Sequence, residues 1–287
     1  MITEIHFLLT YTCIMECDHC FLHCGPYAKG TFTVKQIERV IKEASRIKTL
    51  EWIYFEGGEA FLFYPTLLEG IRLARKKGFK VGIVSNCYWA TSKSDARIWL
   101  KPLKKLGISD LSISEDDFHL DDKKDKRTKN AMLAAKKLGI PTGVICVEGP
   151  KRKNSGAALL RGRAADKLVK GLAKSKCSKF TQCLDEEIRD PKRVHIDPYG
   201  HVQICQGISI GNMWKKPLSS ILENYDWRSH AICSKLAKGG PALLARKYHV
   251  KPEAKFASAC HACYATRKSL IKKFPKYLAP KQVYGIK

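Results

Sequence analysis

The chain alternates short apolar runs with helical patterns, and this alternation limits its possible folds more than any other feature. Strand-like runs lie at residues 5–9, 52–55, 80–84, 111–113, 142–147 and 159–163, with amphipathic helical patterns at 34–47, 65–77, 94–106 and 129–138. Strands separated by helices pair in parallel through right-handed crossovers. We therefore expect an α/β fold in which about the first 165 residues form a partial, open (βα)6 TIM-like barrel.

Length and cysteine content narrow the class further. The 287 residues leave room for a small second domain after the barrel. No run of about twenty uncharged apolar residues occurs, and the first strand starts by Ile5, which leaves no room for a signal peptide. We expect a cytoplasmic protein without a membrane span. Twelve cysteines, some in Cys-x2-Cys spacing, then favour metal binding over disulfides.

The charge is strongly positive. Lysine and arginine number 52 against 27 acidic residues, a formal net charge of +25. This excess could attract an anionic substrate, a nucleic acid or an acidic partner. The basic residues are spread over segments such as 101–105, 123–127, 151–153 and 267–276, however, as on an ordinary solvated surface. Both interpretations stay open at this point.

Three cysteines follow the first strand at a spacing that indicates an iron-sulfur site. Cys13, Cys17 and Cys20 stand as Cys-x3-Cys-x2-Cys in the segment TYTCIMECDHCF. Four cysteines saturate a cubane cluster, so three leave one iron free to bind a cofactor or substrate. A zinc site or buried free thiols are the alternatives.

Polar residues also follow the other predicted strands. They are Glu56-Gly57-Gly58-Glu59, Ser85-Asn86, the segment 112–117 and Glu148-Gly149. Active sites of βα barrels gather at the carboxyl ends of the strands. We therefore expect these groups and the three cysteines to share one rim.

The cysteine spacing at the end of the first strand, joined to the Gly-Gly-Glu turn, resembles the radical S-adenosylmethionine (SAM) superfamily. The resemblance implies a 4Fe-4S cluster on Cys13, Cys17 and Cys20, and SAM bound through Gly57, Gly58 and Glu59. Glycines let the main chain approach a ligand closely. The family usually has proline after this glutamate, where this chain has Ala60.

The same resemblance implies further cofactor contacts. The candidates are His19, Asn86, Ser112, Ser114, Asp116 and Arg163. The strand-end residues among them could instead cap the strands or contact the substrate. For Arg163, the alternative is a structural ion pair. His19 stands where the family usually has an aromatic residue.

After residue 170 the pattern changes, which predicts a barrel domain at 1–170 and a second domain at 171–287. A hairpin is predicted around Pro198-Tyr199-Gly200 and ends at a cysteine. The arrangement resembles the small α+β SPASM or twitch domain, which implies an auxiliary 4Fe-4S cluster held by Cys183, Cys205, Cys260 and Cys263. Cys177 is an alternative to Cys183, and a zinc knuckle is the alternative to the cluster.

The resemblance implies reductive cleavage of SAM and hydrogen abstraction from a peptide or small anionic substrate. The auxiliary cluster would favour net oxidation of the substrate, as dehydrogenation or crosslinking. Flavodoxin or ferredoxin would be a suitable electron donor for the cleavage of SAM. Two other functions stay open. One is RNA modification, which the positive charge permits although no RNA-binding module is recognisable. The other is a noncatalytic iron-sulfur electron carrier.

Overall fold

The computed structural model describes residues 1–119, 125–151, 156–250 and 254–286. Part of the lysine-rich segments at 123–127 and 151–153 lies outside these residues. The barrel region contains the strands and helices β1 (Glu4–Thr10), α1 (Val34–Ala44), β2 (Trp52–Gly57), α2 (Tyr64–Lys76), β3 (Lys80–Ser85), α3 (Lys93–Leu106), β4 (Asp110–Ser114), α4 (Arg127–Leu138) and β5 (Thr142–Ile145). This alternation confirms the α/β class.

The second half of the chain is built from shorter elements. They are α5 (Ala164–Lys167), β6 (Ser175–Lys176), β7 (Arg193–Ile196), β8 (His201–Cys205), β9 (Ile208–Asn212), α6 (Leu218–Glu223), α7 (Cys233–Lys247), β10 (Lys255–Phe256) and α8 (Ala259–Leu270). The helix α7 is interrupted at Gly239 and Gly240, just before Pro241. Gly240 has φ +59°, and a Cβ there would lie 2.4 Å from the Gln182 nitrogen, so the close approach of the two segments requires glycine.

One sheet of eight strands runs through the described residues in the order β5-β4-β3-β2-β1-β7-β8-β9. The strands from β5 to β7 pair in parallel, and β7, β8 and β9 pair antiparallel. The predicted hairpin at 198–200 is the β7–β8 connection. The sheet thus continues across the predicted domain boundary at residue 170.

The sixth parallel strand is not where the sequence pattern predicted it. Residues 159–163 form no strand beside β5, and the sixth parallel strand is β7, which pairs with β1 on the other side of the sheet. Gly162 has φ +60°, and the Arg163 amide donates to the Cys20 carbonyl at 2.8 Å. The apolar residues at 159–160 therefore lead into a turn that packs against the cysteine loop.

The core lies between the sheet and helices α1 to α4. Phe7 of β1 and Phe55 of β2 are in register and stack with ring centroids 5.0 Å apart. Both rings are fully buried, as expected for strands of a parallel sheet that is covered by helices. Gly107 and Gly139 end α3 and α4 in the left-handed conformation, which terminates each helix at the turn into the next strand.

The C-terminal segment is fastened to the β8–β9 hairpin. Arg267 of α8 donates to the Gln206 carbonyl at 2.8 Å, and the Tyr284 hydroxyl donates to the Gly207 carbonyl at 2.7 Å. All these groups are buried. Within the described ranges, no helix combines the length and apolar character needed to span a bilayer.

Candidate active site

A cavity of about 430 Å³ opens at the carboxyl ends of the parallel strands. Its size lies within the range of small-molecule sites. The sequence-predicted residues that line it are Cys13, Cys17, His19, Cys20, Gly57, Gly58, Glu59, Asn86, Ser114 and Asp116. Ser112 and Arg163 are not among its lining residues.

The loop after β1 brings three thiols to one end of this cavity. Its backbone is fixed by the Cys13 amide, which donates to the Gly25 carbonyl at 3.1 Å, and by the Cys20 amide, which donates to the Cys17 carbonyl at 3.0 Å. Cys13 is buried, while Cys17 and Cys20 are half-buried. The loop therefore presents a defined set of three sulfur donors.

Arg163 forms hydrogen bonds with the backbone of this cysteine loop. Its guanidinium donates to the carbonyls of Cys17 at 2.7 Å and Cys24 at 2.6 Å. Its two donors bridge carbonyls within the cysteine loop.

The Gly57-Gly58 turn packs directly on the same loop. Gly58 donates its amide to the Thr10 carbonyl at 2.6 Å, and the Glu59 amide donates to the Thr12 carbonyl at 3.0 Å. Gly57 has φ +127°, and a Cβ on Gly58 would lie 2.1 Å from the Thr12 oxygen. The sequence Gly-Gly is therefore needed for backbone contact between the end of β2 and the end of β1.

Glu59 is a buried carboxylate held by three donors. Oε1 accepts from the Phe61 amide and from the Ser85 hydroxyl, each at 3.0 Å, and Oε2 accepts from the Asn86 amide at 2.8 Å. Burial raises its pKa to about 7, against these hydrogen bonds. A carboxylate can accept about four hydrogen bonds, so Oε2 has capacity for one more donor.

Asn86 and Ser114 reach the cavity from β3 and β4, but Ser112 does not. The side-chain nitrogen Nδ2 of Asn86 lies 3.7 Å from the Cys13 sulfur. The side-chain oxygen Oδ1 of Asn86 accepts a hydrogen bond from the Tyr88 backbone amide at 3.0 Å. The Ser112 hydroxyl donates to Asp110 at 2.7 Å. Ser112 lies two residues before the end of β4, which places it below the cavity.

His19, Asp116 and His119 form a further group of side chains that lines the cavity. Asp116 Oδ1 lies 2.8 Å from His119 Nδ1, and Oδ2 accepts from the Val147 amide at 3.2 Å. The His19 ring packs on Phe118 and His119, with centroid distances of 4.6 and 4.9 Å.

The two histidines of this group have opposite pKa shifts. Burial, together with the charge of His119, lowers the pKa of His19 to about 4. Burial also opposes charge on His119, but hydrogen bonds to Asp116 and Cys17 raise its pKa to about 10. The surroundings thus favour the neutral form of His19 and the charged form of His119.

Several cavity residues were not singled out as site residues from the sequence. They are Cys24, His119 and Cys146. Cys146 and His119 follow the ends of β5 and β4, so the rim position itself was an available signal.

A second, small cavity gathers the later cysteines. Cys183, Cys205, Cys260 and Cys263 all line a space of about 20 Å³. Cys177 lies elsewhere, in a separate apolar cluster with Ala245 and Ala262. The β8 strand end, the start of α8 and the segment before β7 thus bring four distant thiols together.

Arg161 connects the two cavities, because it lines both. Its guanidinium Nη1 lies 2.6 Å from Glu186 Oε1 and 3.4 Å from the Cys205 sulfur. Burial opposes its charge, but Cys205 and Glu186 keep the pKa of Arg161 above its usual range. A fixed positive charge therefore lies between the two cysteine sets.

The sulfurs of the two cysteine sets lie farther apart than the ligands of a single zinc ion. Around one zinc ion the thiol sulfurs would lie about 3.8 Å apart, given Zn–S bonds of about 2.3 Å. Among the described residues, no three of these thiols have sulfurs mutually within 4.8 Å. Both cysteine sets are therefore spread more widely than a zinc site requires.

Comparison with known families identifies the class of protein. Residues 7–152, just over half of the chain, match the Radical SAM superfamily. The chain therefore belongs to the radical SAM superfamily, whose members use a 4Fe-4S cluster and SAM. The three thiols, the Gly-Gly-Glu turn and the cavity described above fit these groups.

Individual relatives match only part of the chain. It is 28% identical over 125 residues to the putative peptide biosynthesis protein YydG of Bacillus subtilis, which is 44% of this chain and 39% of YydG. It is 26% identical over 108 residues to the tungsten-containing aldehyde ferredoxin oxidoreductase cofactor-modifying protein of Pyrococcus furiosus, 38% of this chain and 29% of that protein. The chain thus matches well under half the length of these relatives.

A solved structure supports the fold over a larger share. The crystal structure of BtrN in complex with AdoMet and 2-DOIA aligns with a TM-score of 0.53 and 15% identity, covering 78% of this chain and 83% of BtrN. At this identity the likeness concerns the fold alone. It agrees with a parallel-sheet core of the radical SAM type.

Proposed function

We propose that this radical SAM enzyme modifies a peptide by hydrogen abstraction with net oxidation, forming a double bond or a crosslink. The observation that carries the proposal is the pair of cysteine sets joined by Arg161. When bound, the first cluster and SAM would supply a one-electron reductive cleavage of SAM, which leads to abstraction of a hydrogen atom from the substrate. An oxidative outcome then requires an acceptor for a second electron.

The first site would hold its groups through residues on the cavity wall. Cys13, Cys17 and Cys20 would bind three irons. The free acceptor site on Glu59 Oε2 suits the amino group of SAM, because a carboxylate binds an ammonium through a charge-assisted hydrogen bond. Ser114, Asn86 and His19 line the same cavity and are available to the rest of the cofactor.

The second site would hold the auxiliary cluster through Cys183, Cys205, Cys260 and Cys263. Four thiolates saturate a cubane, so this cluster would exchange electrons and not bind substrate. Arg161 and the buried Arg267 line the same cavity. Their positive charges would stabilise an anionic cluster and its additional electron.

A peptide is the substrate class that the comparisons favour. The relative YydG is described as a putative peptide biosynthesis protein. The net charge of +25 would attract a peptide with acidic residues. A small anionic metabolite is the remaining alternative for the same cavity.

The proposal is tested with the reconstituted enzyme, SAM, a reductant and short peptides encoded beside its gene. Mass spectrometry should show a peptide that has lost two hydrogens, together with 5′-deoxyadenosine. A peptide of unchanged or increased mass would contradict the oxidative assignment. Absence of any peptide product, with turnover of a small anion, would contradict the peptide assignment.

The auxiliary site is tested by a matched pair of variants. The double variant Cys260→Ser/Cys263→Ser should lose half of the iron and the oxidised product. Cys177→Ser, which removes a buried thiol outside the cavity, should retain both. Equal iron content in the two variants would overturn the assignment.

A further inference from the structure

A second cluster of ligand-type side chains lies inside the barrel, apart from the cysteine sets. His6 on β1, Glu56 on β2 and His195 on β7 point to one place in the sheet interior, with His6 directly opposite His195 in register. Each offers one nitrogen or oxygen, and the three atoms lie within 4.8 Å of one another. Three adjacent strands thus contribute one donor each.

The distances within this cluster are those of ligands around one ion. Glu56 Oε1 lies 3.4 Å from His6 Nδ1 and 3.3 Å from His195 Nε2. Bonds of about 2.1 Å in tetrahedral directions would place ligand atoms about 3.4 Å apart. These two distances match those of ligands around a shared metal ion, and the two histidine nitrogens lie within 4.8 Å of each other.

Two of the three donor atoms have no other partner. Glu56 Oε1 and His6 Nδ1 are buried and make no hydrogen bond, and their close contacts are ion pairs within the cluster, where Glu56 Oε1 also faces His195 Nε2. The side chains of His6, Glu56 and His195 are only 10%, 16% and 4% exposed. Buried polar atoms without partners are costly, and here a shared cation would satisfy both.

A carboxylate outside the cluster orients one ligand. His6 Nε2 lies 3.3 Å from Glu4 Oε2. A proton on Nε2 that is donated to Glu4 leaves the Nδ1 lone pair directed at the cluster. Metal-binding histidines in proteins commonly have such a carboxylate behind them.

A fourth donor is within reach. The buried Gln206 amide nitrogen lies 3.4 Å from His195 Nε2, and the Gln206 Oε1 atom has no partner. Rotation of this amide by half a turn would present Oε1 to the same place. The set would then be two imidazoles, a carboxylate and an amide oxygen.

We propose that His6, Glu56 and His195 form a binding site for a divalent first-row transition metal ion of the zinc type. Imidazole and carboxylate together suit such ions. The ion would crosslink β1, β2 and β7, and would fix Glu56 at the wall of the active-site cavity. The site is independent of the peptide-modification proposal and stands if that proposal fails.

The test uses holoenzyme whose iron-sulfur clusters are fully assembled, so that the thiols are occupied before zinc is added. After equilibration with zinc chloride and gel filtration, elemental analysis should find one zinc per chain. Crystals measured at the zinc absorption edge should show an anomalous peak bonded to His6 Nδ1, Glu56 and His195 Nε2. No zinc, or a peak only elsewhere, would overturn the proposal.

Variants provide the control for folding. Glu56→Gln and His195→Gln should each weaken zinc binding at least tenfold, and Glu4→Gln, which changes only the orienting carboxylate, about tenfold. His249→Asn, outside the cluster, should bind as wild type; asparagine tolerates its φ of +54°. Zinc affinity unchanged in Glu56→Gln and His195→Gln variants that retain the wild-type circular dichroism would also overturn the site.

Discussion

Arg161→Met should destabilise the protein by breaking a buried ion pair between the two cavities. The side chains of Arg161 and Glu186 are only 9% and 7% exposed, and their charged atoms lie 2.6 Å apart. Removal of one partner of such a pair costs about 3–5 kcal/mol, because the other charge stays buried. Arg193 remains 3.8 Å from Glu186, so we expect the low end, about 3 kcal/mol.

The assay is urea unfolding of wild type and variant at equal iron content. With a slope of about 3 kcal/mol per molar urea, the midpoint should fall by about 1 M. Glu186→Gln combined with Arg161→Met removes both charges, so the double variant should lie within about 1 kcal/mol of wild type. A loss below about 1 kcal/mol in Arg161→Met, or strictly additive losses, would refute the reasoning.

Three further predictions concern the cysteine loop and the buried carboxylates. Gly58→Ala should cost about 1–3 kcal/mol in thermal unfolding, since the added Cβ meets the Thr12 oxygen. Gly149→Ala, whose added Cβ has no atom of the described residues within 4 Å, should be nearly neutral, and equal losses in the two variants would contradict this. Arg163→Met should speed iron loss to a chelator several-fold, because two charge-assisted hydrogen bonds to the cysteine loop disappear. An unchanged rate of iron loss would show that Arg163 does not stabilise this loop. Burial raises the pKa of Asp197 to about 7, so folding favours its protonated form, and the free energy of unfolding should fall as pH rises from about 4 to about 7. Asp197→Asn should reduce this pH dependence of the free energy of unfolding, and an unchanged dependence would exclude Asp197 as its source.

The sequence predicted the parts of the fold that depend on local patterns. The first five strands and the four helices between them follow from apolar periodicity, and the hairpin follows from its Pro-Tyr-Gly turn. The sixth strand was misplaced, because the apolar residues at 159–160 resemble a strand although Gly162 and Arg163 turn the chain toward the cysteine loop. Only the tertiary structure shows that the sixth parallel strand is β7 and that it pairs with β1.

The site was predictable where chemistry depends on spacing along the chain. The three cysteines and the Gly-Gly-Glu turn lie within short motifs, and the structure brings them to one cavity. Long-range partners were not predictable in this way. The Arg161–Glu186 pair and the His6–Glu56–His195 cluster join residues far apart in sequence, so their meeting depends on the fold.

The central claim is that the three thiols and the Gly-Gly-Glu turn form a SAM-cleaving site. It is tested most directly by quantifying 5′-deoxyadenosine after anaerobic incubation of the reconstituted protein with SAM and a reductant. The account predicts 5′-deoxyadenosine with the wild type and none with Cys17→Ala, while Cys233→Ala, which removes a buried thiol outside both cavities, retains activity. A fully cluster-loaded wild type that forms no 5′-deoxyadenosine would contradict it.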